Sequence, residues 1–209
     1  GERVAFVSDA GMPGVSDPGQ RLVDAALDEG LAVEVIPGPS AVTCALVASG
    51  LASEHFFFEG FLPRRKSAQV TRLWELALVP GTIVCYESPR RVAETLANVA
   101  EVFPARRVAL VRELTKLHEE CLRGMSAELA AEVAARGEVR GECVVVIAAP
   151  DAAELEDRRR AASGGPSTLE EAIAQGLAAG EPKSALAKRL AKSFSLPRAQ
   201  VYDKILELG

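Results

Sequence analysis

Charged side chains follow two predicted strands of this chain at the points where the strands end. Glu87 comes directly after the apolar run at residues 82–86, and Glu113 follows the run at residues 107–111. Because α/β sheets build their sites at the carboxyl ends of strands, the charged residues of both segments form one candidate polar cluster, in which a carboxylate or an imidazole can act as a general base. For any single residue, a surface ion pair is the simpler interpretation. The members of the cluster are Glu87, Arg90, Arg112, Glu113, Lys116, His118 and Glu119.

A second candidate site is the loop at residues 9–19, which follows the apolar run at residues 4–7 and is rich in glycine and proline. Glycine permits positive φ angles and close approach to a ligand, and proline fixes φ and removes a backbone donor. The loop therefore predicts a small-molecule site, with Asp9 as an acceptor for a ribose hydroxyl or an ammonium group. A plain strand-to-helix turn is the alternative. The turn at residues 37–41 is likewise either a ligand-binding helix start or a rigid connector.

Three consecutive cations, Arg64, Arg65 and Lys66, follow the apolar stretch at residues 56–62. Their spacing alone favours a solvated face, and phosphate binding is the alternative. The net charge of −5 shows that the whole chain is not a basic nucleic-acid binder, although a local basic face remains compatible with it.

Composition and motifs bound the class of protein. The chain has 209 residues, of which 48% are apolar, enough for a substantial core. Its cysteines show no CxxC pair, and those at 44, 85 and 143 lie in apolar runs, which predicts reduced core thiols of a cytosolic protein and no zinc site. No GxSxG, P-loop or HExxH motif supports a hydrolase, a kinase or a metalloprotease. No signal peptide or membrane-spanning run is present. Gly1 stands directly before a predicted core strand, so we expect that sequence is missing before it.

Strands and helices alternate along the first 149 residues, which predicts an α/β fold with parallel strands and crossover helices. The predicted strands are residues 4–7, 31–36, 82–86, 107–111, 121–124 and 142–149. The predicted helices are residues 20–29, 41–49, 68–78, 92–102 and 126–136. Residues 151–167 are acidic, then basic, then rich in glycine and serine, which predicts a linker. Helices at 169–176, 183–192 and 197–208 predict a small domain at 168–209, either a helix-turn-helix unit or a plain helical bundle.

Six segments in this order resemble the tetrapyrrole-methylase superfamily of S-adenosylmethionine-dependent methyltransferases, and within it the bacterial enzymes that methylate ribose 2′-hydroxyls of small-subunit ribosomal RNA. The resemblance covers residues 2–149, and the helical tail is similar to a small C-terminal domain of many members. Met12 stands where the family usually has threonine, and Arg90 where it often has histidine. The segments are VSDAGMPGVSDPG (7–19), PGPSA (37–41), FEGFLPRRK (58–66), YESPRR (86–91), RELTKLHEE (112–120) and RGE (140–142).

The resemblance implies two α/β halves, residues 1–66 with a mostly parallel sheet and residues 67–150 with a mixed sheet, and a methyl donor bound between them. The family's first strand and Gly-rich loop would lie upstream of Gly1, so the chain is expected to be truncated at its N-terminus. The donor would be S-adenosylmethionine, with no metal. Its binding residues would be Ser8, Asp9, Ala10, Gly11, Val15, Ser40, Ala41, Tyr86 and Leu114.

The implied reaction is methylation of a cytidine ribose 2′-hydroxyl in small-subunit (16S) ribosomal RNA, or in the 30S subunit, by a cytoplasmic homodimer with no membrane partner. The hydroxyl is a poor nucleophile, so a protein group must accept its proton, and the candidates are Glu87, Glu113, Lys116 and His118. Two alternatives remain: a methyltransferase of the same superfamily that acts on a porphyrinoid precursor, and a non-catalytic RNA-binding module. The candidate RNA contacts are Arg64, Arg65, Lys66, Arg90 and Arg91.

Overall fold

Apolar runs, most of them rich in β-branched or aromatic residues, form the strands of one mixed sheet. The strands are β1 (Phe56–Phe61), β2 (Thr82–Glu87), β3 (Arg107–Arg112), β4 (Glu120–Met125) and β5 (Cys143–Ile147), in the spatial order β1-β2-β5-β3-β4. β1 and β2 are parallel, and the three other neighbouring pairs are antiparallel. The computed structural model from which this description comes describes residues 2–8, 11–16, 18–162, 166, 168–194 and 196–208.

Helices cover both faces of the sheet, because successive residues of a strand point to opposite faces. On β2, Ile83 and Cys85 join a buried cluster with helices α3 (Lys66–Leu76), α4 (Val92–Val102) and α5 (Ser126–Arg136). Val84, between them, joins a second buried cluster on the other face with helix α2 (Ala41–Ser49). Helix α1 (Gln20–Asp28) precedes α2 along the chain. These two clusters fix the sheet rigidly, so its edges can hold side chains at defined positions.

The α/β class, the mixed sheet and the C-terminal helices are as predicted, but the strands predicted at residues 4–7 and 31–36 are wrong. Among the described residues, neither segment joins a ladder. Val4 and Ile36 are 84% and 80% exposed. A run of strand-forming residues becomes a strand only when another strand pairs with its backbone donors and acceptors. Here the described strands pair with one another instead, and the mostly parallel first sheet is not formed by the described residues.

The second compact unit, Pro150–Gly209, is helical, with α6 (Ala152–Ala162), α7 (Leu169–Ala178), α8 (Lys183–Ser193) and α9 (Arg198–Leu208). Helices α7, α8 and α9 share a core that includes Ile173, Leu186 and Ile205. Among the described residues of the chain, no helix has both the length and the apolar character needed to cross a membrane.

Helix α6 corrects the prediction of a linker at residues 151–167. The Asp151 carboxylate accepts a hydrogen bond from the Glu154 amide and so caps the helix. Inside it, Arg158 pairs with Glu154 at i,i+4 spacing, 2.7 Å apart. The charged residues that we interpreted as part of a linker therefore form a cap and ion pairs within a helix. Part of the segment predicted as a linker, residues 163–165 and 167, lies outside the described residues.

Candidate functional site

The carboxyl ends of three strands and the amino end of a fourth lie together at one edge of the sheet. β2 ends at Glu87 and β3 ends at Arg112, and both of these residues are register partners of Cys143, where β5 begins. Parallel to β2, β1 ends at Phe61 beside Tyr86. This edge therefore collects the segments that follow β1, β2 and β3 and the segment that precedes β5. Two cavities open there.

The first cavity has a volume of about 320 Å³. Its walls come from two loops of the N-terminal region and from the ends of β1, β2 and β5. Five of the predicted site residues that lie far apart in sequence line this one cavity: Val15, Ser40, Ala41, Tyr86 and Glu87. The lining residues are Met12, Val15, Ser16, Pro39, Ser40, Ala41, Phe61, Tyr86, Glu87, Pro89, Gly141, Glu142, Cys143 and Val144.

Gly11 allows the two N-terminal loops to meet at this cavity. Its φ of +91° is unfavourable for other residues, and a β-carbon there would lie 2.7 Å from the Pro39 carbonyl oxygen. The next residue, Met12, donates its amide to that carbonyl at 2.9 Å. Ser40 is the N-cap residue of α2, so the first turn of that helix, whose amides lack acceptors within the helix, begins at the cavity wall.

Aromatic rings form the opposite wall. The Tyr86 ring lies 5.0 Å from the Phe58 ring in an edge-to-face arrangement and 5.7 Å from the Phe61 ring. Such pairs hold each other in fixed orientations and present apolar faces to a flat ligand. Phe61 was not among the predicted site residues. Its position in the FEGFLPRRK segment, directly before the basic residues, was the available signal.

Cys143 contributes a thiol to the first cavity. Burial is the main cause that raises its pKa to about 11, so the sulfur stays protonated near neutral pH. All four cysteines of the chain are free thiols in the structure. A neutral thiol is a weak nucleophile, and this wall of the cavity is therefore chemically inert.

Glu87 is the most enclosed of the candidate proton acceptors, because its side chain is fully buried. One carboxylate oxygen accepts from the Ser88 amide at 2.7 Å. The other accepts from the Thr95 hydroxyl at 2.7 Å and from the Arg91 guanidinium at 3.1 Å. A carboxylate with this many intramolecular donors is suited to holding structure around it.

Glu113, Lys116 and Glu142 form an ionic cluster on the other side of Gly141. The Lys116 ammonium lies 3.0 Å from Glu113 and 3.1 Å from Glu142, and Glu113 also accepts from the Glu142 amide at 2.9 Å. That amide and Lys116 lower the pKa of Glu113, and Glu113 and Glu142 raise the pKa of Lys116. Lys116 is therefore a cation that orients two carboxylates, which makes it a poor proton acceptor.

Backbone strain accompanies this cluster. Glu113 has φ +52° and Thr115 has φ +62°, in the left-handed region that non-glycine residues seldom adopt. A β-carbon on Gly141, which has φ +88°, would lie 2.3 Å from the Glu113 side chain. Such strain persists where the surroundings impose it, often at functional sites. Glu142 was not predicted as a site residue, although it belongs to the RGE segment.

The second cavity, about 290 Å³, shares Gly141 with the first, and half of its lining residues are arginines and glutamates. Glu120 lies 2.6 Å from Arg112 and 2.8 Å from Arg136, and these hydrogen bonds lower its pKa. His118 lines this cavity with Glu113. The predicted polar cluster is therefore divided: Glu87 belongs to the first cavity, and Arg112, Glu113 and His118 belong to the second.

The remaining predicted residues are placed as follows. Ser8 is half-buried, and Leu114 packs with Tyr86 against the buried cluster that contains α2. The predicted contacts Asp9 and Ala10 lie outside the described residues. Arg91 is half-buried and donates to the carbonyls of residues 62 and 63. The exposed basic residues are Arg64, Arg65, Lys66 and Arg90.

Comparison with known proteins adds to this geometry. The family described as Tetrapyrrole (Corrin/Porphyrin) Methylases matches residues 1–130. Two relatives are named Ribosomal RNA small subunit methyltransferase I. The relative from Mesorhizobium japonicum is 42% identical to this chain, and the match covers all of this chain and 68% of the relative. The relative from Mycobacterium tuberculosis is 46% identical, and the match covers 99% of this chain and 69% of the relative. The fold is similar to that of the methyltransferase CobJ, with a TM-score of 0.51 and 19% identity over 68% of this chain and 62% of that one.

Proposed function

Because this chain belongs to the tetrapyrrole methylase family, we propose that it transfers a methyl group from S-adenosylmethionine to the ribose 2′-hydroxyl of a cytidine in small-subunit ribosomal RNA. The observation that carries the proposal is one small-molecule cavity whose lining residues lie next to two basic segments along the sequence. Phe61 and Pro89 line the first cavity, and the segments 64–66 and 90–91 begin within three residues of them. The names of the relatives support RNA as the acceptor.

The first cavity fits the proposed donor. Its volume lies in the range of about 300–1,000 Å³ that is usual for small-molecule sites. The aromatic wall of Phe61 and Tyr86 suits an adenine ring, and the amides at the start of α2, beside Ser40 and Ala41, suit a carboxylate. When bound, the donor supplies an electrophilic methyl group on a sulfonium. Val15 and the neutral Cys143 also line this cavity.

Glu142 is our choice for the group that accepts the hydroxyl proton. Glu142 lines the first cavity and its side chain is 75% exposed, so a substrate can reach it, unlike the enclosed Glu87. Lys116 holds it from one side, and Glu113 holds Lys116. In this assignment Glu142 takes the proton at a carboxylate oxygen while Lys116 and Glu113 orient it.

Segment 64–66 and Arg90 form the proposed RNA-binding rim, because Arg91 is already bonded to Glu87 and to the carbonyls of residues 62 and 63. β1 and β2 are parallel neighbours, so the residues that follow them emerge side by side. Arg65 is the N-cap of α3 and Lys66 its first residue, and the first turn of that helix has no acidic side chain. Cations at a helix N-terminus oppose its dipole, whereas a bound phosphate is favoured by both the cations and the free amides. This position therefore favours a phosphate contact over an idle solvated face.

The direct test is methyl transfer to small ribosomal subunits from cells that lack the modification. With radiolabelled S-adenosylmethionine, we expect label in the ribosomal RNA and 2′-O-methylcytidine after nuclease digestion. Transfer to a uroporphyrinogen-type acceptor and none to the subunits would contradict the proposal. The family resemblance also supports a cytoplasmic homodimer, for which light scattering at several concentrations is the test.

The rim has its own prediction. Changing Arg64, Arg65 and Lys66 together to alanine should weaken RNA binding and reduce the slope of log affinity against log salt by up to about 2, since each single-strand phosphate contact contributes roughly 0.7. Affinity for S-adenosylhomocysteine should stay unchanged. A matched control changes three exposed cations of the helical unit, Arg159, Lys188 and Lys192, to alanine. An unaltered salt slope in the triple variant would remove these residues from the proposed rim.

A further inference from the structure

We infer that the buried Glu87 carboxylate is a positioning residue, which fixes the basic segment 64–66 relative to the first cavity through a chain of buried polar groups. The inference deepens the proposed function and depends on it, since it takes segment 64–66 as the RNA contact. Glu87 itself lines the first cavity, whereas the groups that connect it to segment 64–66 do not.

This network of hydrogen bonds starts at the Glu87 carboxylate and leads away from the first cavity. The Thr95 hydroxyl of α4 donates to Glu87 at 2.7 Å and accepts from the Gln69 amide of α3 at 3.1 Å. That Gln69 amide also donates to the Pro63 carbonyl at 3.3 Å, and Asn98 donates to the Gln69 oxygen at 2.6 Å. In this network each hydroxyl and amide group therefore has a defined role as donor or acceptor.

A second connection reaches the same place. The Arg91 guanidinium nitrogen Nη2 lies 3.1 Å from Glu87, 3.1 Å from the Leu62 carbonyl and 3.1 Å from the Pro63 carbonyl. The Pro63 carbonyl therefore accepts from both Gln69 of α3 and Arg91, which precedes α4, while the Leu62 carbonyl accepts from Arg91, and both connections start at Glu87. The next residue along the chain is Arg64, the first of the three cations.

Burial makes this an unusual way to hold a turn. Gln69, Thr95 and Asn98 are 3%, 1% and 2% exposed, and Glu87 is 2% exposed. Polar groups are costly to bury, and well-packed apolar residues generally hold a core at least as well. What a directional network adds is one defined position for the groups it binds. Here those groups are the two carbonyls directly before the basic segment, while Ser88, bonded to the same carboxylate, precedes Pro89 of the cavity wall.

The geometry thus gives the network two ends. One end is the wall of the first cavity at Ser88 and Pro89, and the other is the turn at Leu62 and Pro63 that presents the cations. An RNA backbone bound to the cations would be held at a fixed distance from the donor. Loss of the network should therefore raise the KM for RNA and leave the donor affinity nearly unchanged.

Thr95→Val tests this with little change of volume, and Thr95→Ser is the matched variant that keeps the hydroxyl. Thr95→Val should raise the KM for RNA by about fivefold, the effect of one net hydrogen bond of about 1 kcal/mol, while kcat and S-adenosylhomocysteine affinity stay near wild type. Thr95→Ser should restore the RNA KM. Faster amide hydrogen exchange at residues 64–66, but not at Ile83 or Val84, should accompany the loss in Thr95→Val.

Gln69→Met, which removes the bond to Pro63 while keeping length, should behave like Thr95→Val and serves if that variant folds poorly. An RNA KM equal to wild type in both variants, measured on folded protein, would overturn the inference. The triple-alanine variant of segment 64–66 is assayed beside them. If that variant also binds RNA normally, the proposed rim is wrong; if it binds weakly while the network variants bind normally, only the positioning role fails.

Discussion

The two cavities at the sheet edge have similar volumes and share Gly141, but their chemistry differs. In the second, arginines and glutamates already neutralise one another, as in the pairs of Glu120 with Arg112 and Arg136. In the first, a helix N-terminus, two aromatic rings and an accessible carboxylate surround the space. Size alone therefore does not select a ligand site. A ligand site also needs groups that are free to bind a ligand, and in this comparison those groups lie in the first cavity.

The largest effect is expected from filling the first cavity. Ala41 is an exposed residue in the first turn of α2, and Ala41→Trp should block the space and weaken S-adenosylhomocysteine binding by about 100-fold, near the upper end of what overpacking costs. Glu138→Trp places the same side chain at an exposed position of the second cavity and should leave the affinity unchanged. Calorimetric titration measures both. An equal loss of S-adenosylhomocysteine affinity in the two variants would show that the first cavity is not the specific binding site.

A second prediction concerns the carboxylate between them. Glu142→Gln should lower kcat by about 100-fold, at the lower end of what a general base contributes, with little change in either KM. Glu138→Gln, an exposed neighbour that pairs with Arg140, is the control and should be near wild type. Single-turnover methyl transfer is the measurement. A kcat within twofold of wild type for Glu142→Gln would show that another group accepts the proton.

The smallest effect is expected in the second cavity. Glu120→Gln should reduce the free energy of unfolding at pH 7 by about 1 kcal/mol or less, because its ion pairs are partly exposed. The pKa of Glu120 is lowered in the folded state, so its contribution is complete above the ordinary glutamate pKa of about 4.3 and is lost as the pH falls through the lowered value. Urea unfolding at pH 7 and near pH 3 should show the difference shrinking in acid. A constant difference would disprove this origin.

Local signals predicted the helices well. α4 and α5 have the predicted bounds, because Pro89 before one and Gly137 after the other mark where the chain changes direction. Pairing between strands is set by distant residues and was not predictable from each run alone. Residues 31–36 have strand-forming side chains, yet the described strands leave that run unpaired.

The candidate site was predictable in location but not in the division of roles. The family resemblance named Ser40 and Tyr86 and the strand-end pattern named Glu87, and all three line the first cavity. Glu142 was not among the predicted site residues because it lies at the start of a strand. The antiparallel direction of β5 brings it to the same edge of the sheet. The burial of Glu87 was not predictable, because Glu87 ends β2 while its partners Arg91 and Thr95 lie before and within α4, and the packing of that helix on the strand is set by distant residues.

The central claim, that the first cavity binds the methyl donor, is tested most directly by backbone NMR during titration with S-adenosylhomocysteine. The account predicts saturable shifts of amide resonances around Ala41, Tyr86 and Val144, with little change at Leu122, Val133 and Val139 of the second cavity. Shifts confined to the second group would contradict it and would place the donor among the charged residues instead.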